Sequence, residues 1–551
     1  MLLAPQESIL SAASIIMIMG VAAKFLGLLR QRTLTSFFPT DELSLFFAAF
    51  RLPDSAFEVL TLGTLSSAFI PVFSRLLRDD EKKAWDTASR MINIGLLMFA
   101  FLAFLFGVFA LPLYKILAPG FNSEETAQIA YLARVLFAAQ GFFVVSYALT
   151  GVLESSKRFL VPALAPLFYN LGIILGTVFL YSRFGLLAPA LGAVFGAAVH
   201  FLVQLPLAYR LGLRFSPTIR PTKEVYKIGK LAAPRMGELG FLQISKTTEL
   251  YLASLISTSS YAFYTLAYSI QFIPISLFGV SLAKAALPTL SRRSNDAKKF
   301  KATFLSTLNQ MMFFLLPMAT AFVVLRIPIV RLILGSNKFD WPDTVQTGLV
   351  LSAFALGVPF YGATMLLNRA FYAQHDTKTP VLVSLLSTGI IIASSFLLVL
   401  GFTFPTWGLA AAFSLGFAFQ SSTLFVILGK KINGGVFFGV KPIFKSLIAS
   451  VASGLSMFVI LKFFDRSVWI KRLSFVNSIE LAQNLNFEKF VIDTRYSINL
   501  LILTIMTGVV GAIVYLFVCW MLGSKELKTF WSVLKSRKKT KFTQDTVLDS
   551  I

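Results

Sequence analysis

Five basic residues, Lys24, Arg30, Arg51, Lys246 and Lys284, stand inside stretches that are otherwise apolar. Inside a bilayer each such charge is costly and is kept where it faces a cavity, an acidic partner or the head-group layer. The chemistry these side chains offer is anion binding. Both neutralise charge, and the arginine fork matches two oxygens of one phosphate. Acidic partners are few. Lys246 and Glu249 stand three apart on one helical face and can neutralise each other, and Glu238 can pair with Arg235. The cations of the first, second and eighth apolar stretches still outnumber their plausible partners, Asp54 and Glu58. A cationic cavity open to lipid is therefore expected, the device needed to carry a phosphate-bearing head group past hydrocarbon. Structural ion pairs and interfacial anchors are the competing reading.

The elements that must position these residues are membrane-spanning helices. Of 551 residues 56% are hydrophobic and 14% charged, whereas a soluble domain runs near about a quarter charged. Apolar runs such as Ile94 to Leu113 and Leu382 to Leu400 recur along the chain, each long enough to cross roughly 30 Å of hydrocarbon. No strong short alternation points to an outer-membrane barrel. The fold class expected is an all-α polytopic membrane protein. Fourteen spans are predicted, at about 8–37, 44–73, 91–117, 128–153, 161–181, 186–209, 231–256, 261–290, 302–334, 346–373, 381–400, 406–428, 443–462 and 499–522. The first is read as a permanent span rather than a cleaved signal.

Charge in the connections orients the array. Alternate connections and the tail from 523 hold 31 Lys and Arg, against seven on the other face. Both termini are therefore expected in the cytoplasm. The net charge of +24 is absorbed by this bias and does not call for nucleic acid.

An internal repeat organises the chain. Ala68-Phe69-Ile70-Pro71-Val72-Phe73-Ser74-Arg75 is matched, 217 residues on, by Ala285-Ala286-Leu287-Pro288-Thr289-Leu290-Ser291-Arg292. Near the same offset, Lys157-Arg158 and Pro162 answer Asp376-Thr377-Lys378-Thr379-Pro380. A unit of six spans gives two parallel, pseudo-symmetric lobes around a central cavity. The expected organisation is an N-terminal lobe over 1–213, a cytoplasmic linker over 214–230 and a second lobe over 231–429. A linker over 430–442 then leads to two additional helices within 443–522, with an outer-face insert at 463–498 and a basic cytoplasmic tail over 523–551. The last two helices are either packing elements or a docking groove for a lipid tail.

Residues that soften helices mark expected hinges: Gly27, Pro53, Gly63, Pro274 and Gly279, beside Gly20, Pro71 and Pro288. The two histidines, His200 and His375, are too few for a histidine-rich metal site, and Cys519 is the single cysteine. No phosphate-binding loop or nucleophile constellation is present, so an enzyme is not expected and no cofactor is assigned. An ion gradient, the membrane potential or consumption of the product would supply the energy.

The motifs carry a family resemblance. Lys24-Phe-Leu-Gly27-Leu-Leu-Arg30, Phe46-Phe-Ala-Ala-Phe-Arg51-Leu-Pro53 and Gly63-Thr-Leu-Ser-Ser-Ala-Phe-Ile-Pro71 lie in the first half. Gly151-Val-Leu-Glu-Ser-Ser-Lys-Arg158-Phe-Leu-Val-Pro162 and, most specifically, Arg369-Ala-Phe-Tyr-Ala-Gln-His-Asp-Thr-Lys-Thr-Pro380 follow. Together they resemble the MurJ/MviN lipid II flippases of the MOP exporter superfamily, from about residue 8 to 460. The resemblance implies a MurJ/MATE-like fold and alternating-access transfer of an undecaprenyl-pyrophosphate-linked peptidoglycan precursor to the outer leaflet, without ATP. Matched residue by residue, the family's Ser-Arg pair falls on Ala23-Lys24 and its next arginine on Arg30, with Gln31 where an acid is usual. Ser44, Leu62 and the Leu266-Ala267-Tyr268 stretch also depart from the family's charged positions. Lys24, Arg30 and Arg51 are the expected pyrophosphate-binding residues, with Lys284 a fourth. Alternatives are a flippase or exporter for another polyprenyl-linked glycan or a small solute, and a non-transporting membrane scaffold.

Overall fold

The structure is a computed structural model that describes residues 9–62, 69–432, 441–464 and 497–528. Every regular element among them is helical. The first half holds α1 (Ile9–Phe37), α2 (Thr40–Ala49), α3 (Arg51–Phe57), a π-helical turn (Glu58–Leu62) and α4 (Ile70–Asp79). It continues with α5 (Glu81–Val108), α6 (Ala110–Leu117), α7 (Ser123–Ser155), α8 (Leu160–Phe184) and α9 (Leu187–Arg210). Then follow α10 (Lys223–Ile256), α11 (Ser260–Pro274), a second π-helical turn (Ile275–Val280), α12 (Ser281–Arg292), α13 (Ala297–Val324) and α14 (Arg326–Leu334). The chain goes on through α15 (Trp341–Ala373), α16 (Lys378–Phe396), a π-helical turn (Leu397–Gly401), α17 (Trp407–Lys431), α18 (Lys441–Phe464) and α19 (Ser497–Met521).

Local chemistry sets the helix starts. Asn122 accepts from the amide of Glu125 at 2.9 Å while Glu125 accepts from the amide of Asn122 at 2.8 Å, a capping box that opens α7. Asp80, Thr222 and Asp296 accept from Lys83, Val225 and Lys299 at the starts of α5, α10 and α13.

Among the described residues eleven helices are long and apolar enough to cross a membrane. They coincide with predicted spans three to six and eight to fourteen. Predicted span one corresponds to α1, span two to α2–α4 and span seven to α10; these spans carry Lys24, Arg30, Arg51 and Lys246. On α5, Phe101 and Phe104 are 65% and 72% exposed. Such a band is unfavourable in water and is what a helix presents to lipid.

The chain divides into two compact units. One comprises residues 1–266, 333–346 and 391–409, so α10 packs with the first half; the other comprises 267–332, 347–390 and 410–551. Phe38, Phe46, Tyr114 and Leu136 lie in the core of the first. Met311, Leu315, Leu366 and Phe371 lie in that of the second.

The internal repeat reappears in backbone conformation. The π-helical turn beginning at Ile275 starts 217 residues after the one beginning at Glu58. In the connections after α7 and α15, Lys157 and His375 each adopt positive φ, at 56° and 58°. Each is followed by an amide that reaches back across the helix end, Arg158 to Leu153 O at 2.8 Å and Asp376 to Phe371 O at 3.0 Å. These two loops end their helices in the same way. Asp376 then accepts from the amide and hydroxyl of Thr379 and from Lys431 Nζ at 2.9–3.0 Å. The Asp-Thr-Lys-Thr-Pro motif is thus explained as the start of α16.

A polar cavity in the first unit

The second predicted span is broken rather than straight. Pro53 lacks an N–H, so the carbonyl of Ala49, four residues earlier, has no helical donor. The buried Tyr114 of α6 supplies one: its hydroxyl lies 2.9 Å from Ala49 O and 3.1 Å from Ala48 O, and the Leu52 amide approaches it at 3.4 Å. Arg51 and Asp54 both lie on α3, directly after this break.

Arg51 points into protein. It is 6% exposed, donates to Ser55 Oγ at 2.7 Å and to Gln243 Oε1 of α10. Gln243 in turn donates to Glu58 Oε2 at 2.8 Å, and Lys246 Nζ reaches both Glu58 oxygens at 2.7 and 2.9 Å. The ion pair that Lys246 makes is therefore with Glu58, on another helix, rather than with Glu249 on its own. Glu58 is matched by a cation, whereas Arg51 is held by neutral dipoles.

Asp54 faces a cavity of about 480 Å³ whose wall includes Arg30, Asp54, Glu58, Gln140, Tyr169 and His200. Gln140 of α7 donates to Asp54. Arg30 Nε is buried and has no hydrogen-bond partner among the described residues. A guanidinium N–H in that position costs free energy unless an acceptor comes to it. Counting formal charges, Arg30, Arg51 and Lys246 stand against Asp54, Glu58 and Glu249, so the wall and its backing balance formally, and it is Arg30 that lacks a bonded acceptor.

Close packing of α8 on α9 holds the far wall. A Cβ at Gly172 would fall 2.4 Å from Gly196 Cα, and one at Gly192 would fall 2.4 Å from Gly172 O. Small residues four apart on both helices allow this backbone contact. It brings Tyr169 and His200 to the same cavity.

The other expected site residues are dispersed. Lys24 is on the exposed side of α1, six residues before Arg30, and is not part of the cavity wall. Gly27, between them, faces Asn170 of α8, whose Oδ1 lies 3.9 Å from where a Cβ would sit. In the second unit Lys284 is exposed on α12. Pro274 immediately precedes the π-helical turn Ile275–Val280, and Gly279 lies inside it; a Cβ there would come 3.3 Å from Gly362 Cα. Gly63 lies outside the described residues. The neutral wall residues Gln140, Tyr169 and His200 and the bridging Gln243 were not singled out from sequence. Gln140 and His200, as polar residues within apolar helices, carried the usable signal, as did Gly172-x-x-x-Gly176 and Gly192-x-x-x-Gly196 for the packing.

An all-helical, multi-pass chain with a polar, arginine-bearing cavity inside a helical unit is the architecture of a membrane transporter. Solved structures with the same fold include a lipid II flippase MurJ in an inward closed conformation, with TM-score 0.74 and 23% identity over 92% of this chain and 98% of that one. Another is an inward-facing MATE family multidrug resistance transporter of the MOP superfamily, with TM-score 0.63 and 16% identity over 75% of this chain and 94% of that one. The family model described as "Lipid II flippase MurJ" matches residues 35–479, and the chain belongs to that family. It is a family of transporters, not of enzymes, and its membership together with the helices places the protein in the inner membrane as a multi-pass chain. Similar proteins include probable lipid II flippases MurJ of Thermotoga maritima, 27% identical over 78% of this chain and 86% of that protein. That of Borreliella burgdorferi is 24% identical over 88% and 95%.

Proposed function

We propose that this protein translocates lipid II, an undecaprenyl-pyrophosphate-linked precursor, from the cytoplasmic to the outer leaflet by alternating access, with both termini cytoplasmic. Membership of the flippase family supports the substrate class. The observation that carries the site is Arg30: a buried guanidinium N–H without a protein acceptor, on the wall of a cavity in which Glu58 is already paired and Asp54 is already hydrogen-bonded. A pyrophosphate oxygen is the acceptor it lacks. Lys24, one and a half turns away on α1, would meet the anion on its way in. Arg51 acts from behind, fixing Gln243 and through it Glu58. The π-helical turns at Glu58–Leu62 and Ile275–Val280, with Pro53, Pro274, Gly279 and Gly63, are the proposed hinges, because a π turn has already surrendered regular helical pairing. Lys284 is kept as a further contact in another state of the cycle. The membrane potential or an ion gradient would drive the cycle.

The test is lipid II exposure at the outer leaflet of cells depleted of their own flippase and supplied with this protein. A charge-assisted bond is worth about 1.5–3 kcal/mol, so Arg30→Gln is expected to lower exposure on the order of 10- to 150-fold. Arg30→Lys, which keeps charge but not the fork, is expected to lie between. Full exposure from Arg30→Gln at equal protein level would refute the assignment. If the unaltered, correctly inserted protein gives none, the lipid II assignment fails, and another polyprenyl-linked substrate or a non-transporting scaffold takes its place.

A further inference from the structure

Among the histidine, acidic and basic residues of the cavity wall, His200 is the one the foregoing leaves without a role. Its ring is held on three sides. Phe143 meets it edge-on with centroids 5.0 Å apart, Tyr147 stacks on it at 6.0 Å and 15°, and Nδ1 is hydrogen-bonded to Ser146 Oγ. Nε2 makes no hydrogen bond among the described residues, and the ring lines the cavity.

Which nitrogen carries the proton follows from the neighbours. The backbone carbonyl of His200 can only accept, so the Gln204 side-chain atom 3.1 Å from it is the amide nitrogen. That nitrogen also lies 2.6 Å from Ser146 Oγ and 3.4 Å from His200 Nδ1. Gln204 Oε1, on the other side, accepts from Thr150 Oγ1 at 2.9 Å. Ser146 Oγ therefore accepts from Gln204 and must place its own proton elsewhere. Its alternative acceptor, His200 O, is 3.3 Å away, beyond the usual O–H···O range, and already receives Gln204. The proton goes to Nδ1, which is thus an acceptor. The single ring proton of the neutral imidazole then sits on Nε2.

We infer that His200 is a substrate-binding residue, a neutral Nε2–H donor to a pyrophosphate oxygen, set in that tautomer by the positioning residues Ser146, Gln204 and Thr150. This rests on the reading that the cavity takes a polyprenyl pyrophosphate. A neutral donor suits the place. It adds a directional bond in the cavity that Arg30 also lines, without a second charge that would hold the anion too tightly to release.

The tautomer is tested without substrate. His375 is the only other histidine, so full-length protein labelled with 15N-histidine in lipid nanodiscs gives two imidazoles, told apart by the His375→Asn variant. A protonated-type shift at Nε2 with a bare-type shift at Nδ1 is expected for His200; a proton on Nδ1 overturns the inference. Undecaprenyl pyrophosphate is then added, with undecaprenol as the control. The Nε2 resonance is expected to move with the pyrophosphate alone. Binding of the pyrophosphate that leaves Nε2 unmoved overturns the role of His200 while leaving the cavity reading standing. No binding at all overturns both. Gln approximates the donor at Nε2, and Asn approximates the acceptor at Nδ1. A donor role is expected to show about a tenfold weaker affinity in His200→Asn and near-normal affinity in His200→Gln; the reverse order indicates a purely structural ring and refutes the proposal.

Discussion

Replacing Tyr114 by Phe removes one oxygen and leaves the ring in place, so it isolates what the hydroxyl does for the broken second span. In the protein the hydroxyl is buried beside Ala48 O and Ala49 O and faces the Leu52 amide. Without it the Ala49 carbonyl, already deprived of a helical donor by Pro53, is left buried and unpaired. An unsatisfied buried backbone group costs about 1–3 kcal/mol, and the ring's shape is unchanged, so little cavity penalty is added. The expected effect is a faster opening of the α2–α3 junction by about 5- to 150-fold. It would be read as amide hydrogen exchange over residues 50–54 in protein reconstituted in nanodiscs.

The cause is separable from a general weakening. Pro53→Ala restores an N–H that Ala49 O can accept within the helix. In that background Tyr114→Phe is expected to cost about 1 kcal/mol less than in the native one, a coupling well within the range for groups sharing one network. An equal cost in both backgrounds would refute the claim that Tyr114 repairs the defect left by Pro53.

Two further outcomes follow from packing and capping. A Cβ at Gly192 meets backbone on α8, at Gly172 O and Gly176 Cα, which cannot rotate away; Gly192→Ala is expected to cost about 1–3 kcal/mol in thermal unfolding in detergent, whereas Gly508→Ala, with nothing within 4 Å, should cost nothing. At Asp376 burial opposes the charge, but the bonds from Thr379 and Lys431 outweigh it and hold the carboxyl below its ordinary range; that contribution is present above the unfolded value near about 3.9 and lost as pH falls through the lower folded value, so the roughly 1 kcal/mol deficit expected of Asp376→Asn at neutral pH should shrink below about pH 4, and a deficit independent of pH would refute the cap.

Much of this was legible in the residues. Length and apolarity identify eleven of the helices outright, and the repeat that Pro71 and Pro288 announce returns as paired π turns and paired positive-φ residues. Asp54 and Glu58 were visible as the acidic neighbours of Arg51 because they follow it within two turns. What sequence did not separate was direction. Arg30 and Arg51 look alike as letters, yet one opens onto a cavity and the other is enclosed by Ser55 and Gln243. That difference is made by partners distant in sequence, above all Gln243 on α10, nearly two hundred residues from Arg51. Pairing was likewise hidden: Lys246 has Glu249 within one turn, but its ion pair is with Glu58 of another helix. Such choices depend on which helix faces which, and periodicity is silent about that.

The broken second span and α10 bring Arg51, Glu58 and Lys246 to membrane depth. A helix that brings Arg51 or Lys246 to membrane depth must meet that charge with partners rather than with lipid. Its charges are met from neighbouring helices, as Glu58 meets Lys246 and Gln243 meets Arg51. The second span adds Pro53 and a π-helical turn, each of which gives up regular hydrogen bonds. Its order is therefore borrowed from α6, α7 and α10 through a small number of polar contacts. Contacts of that kind are directional and can be exchanged for bonds to an incoming anion at modest net cost, whereas the glycine-tight packing of α8 on α9 cannot. Movement in the first unit should then be concentrated in α2 and α3 against the α8–α9 wall, on which α1 also packs, with Asp54 on the side that moves and Arg30 and His200 on the side that stays.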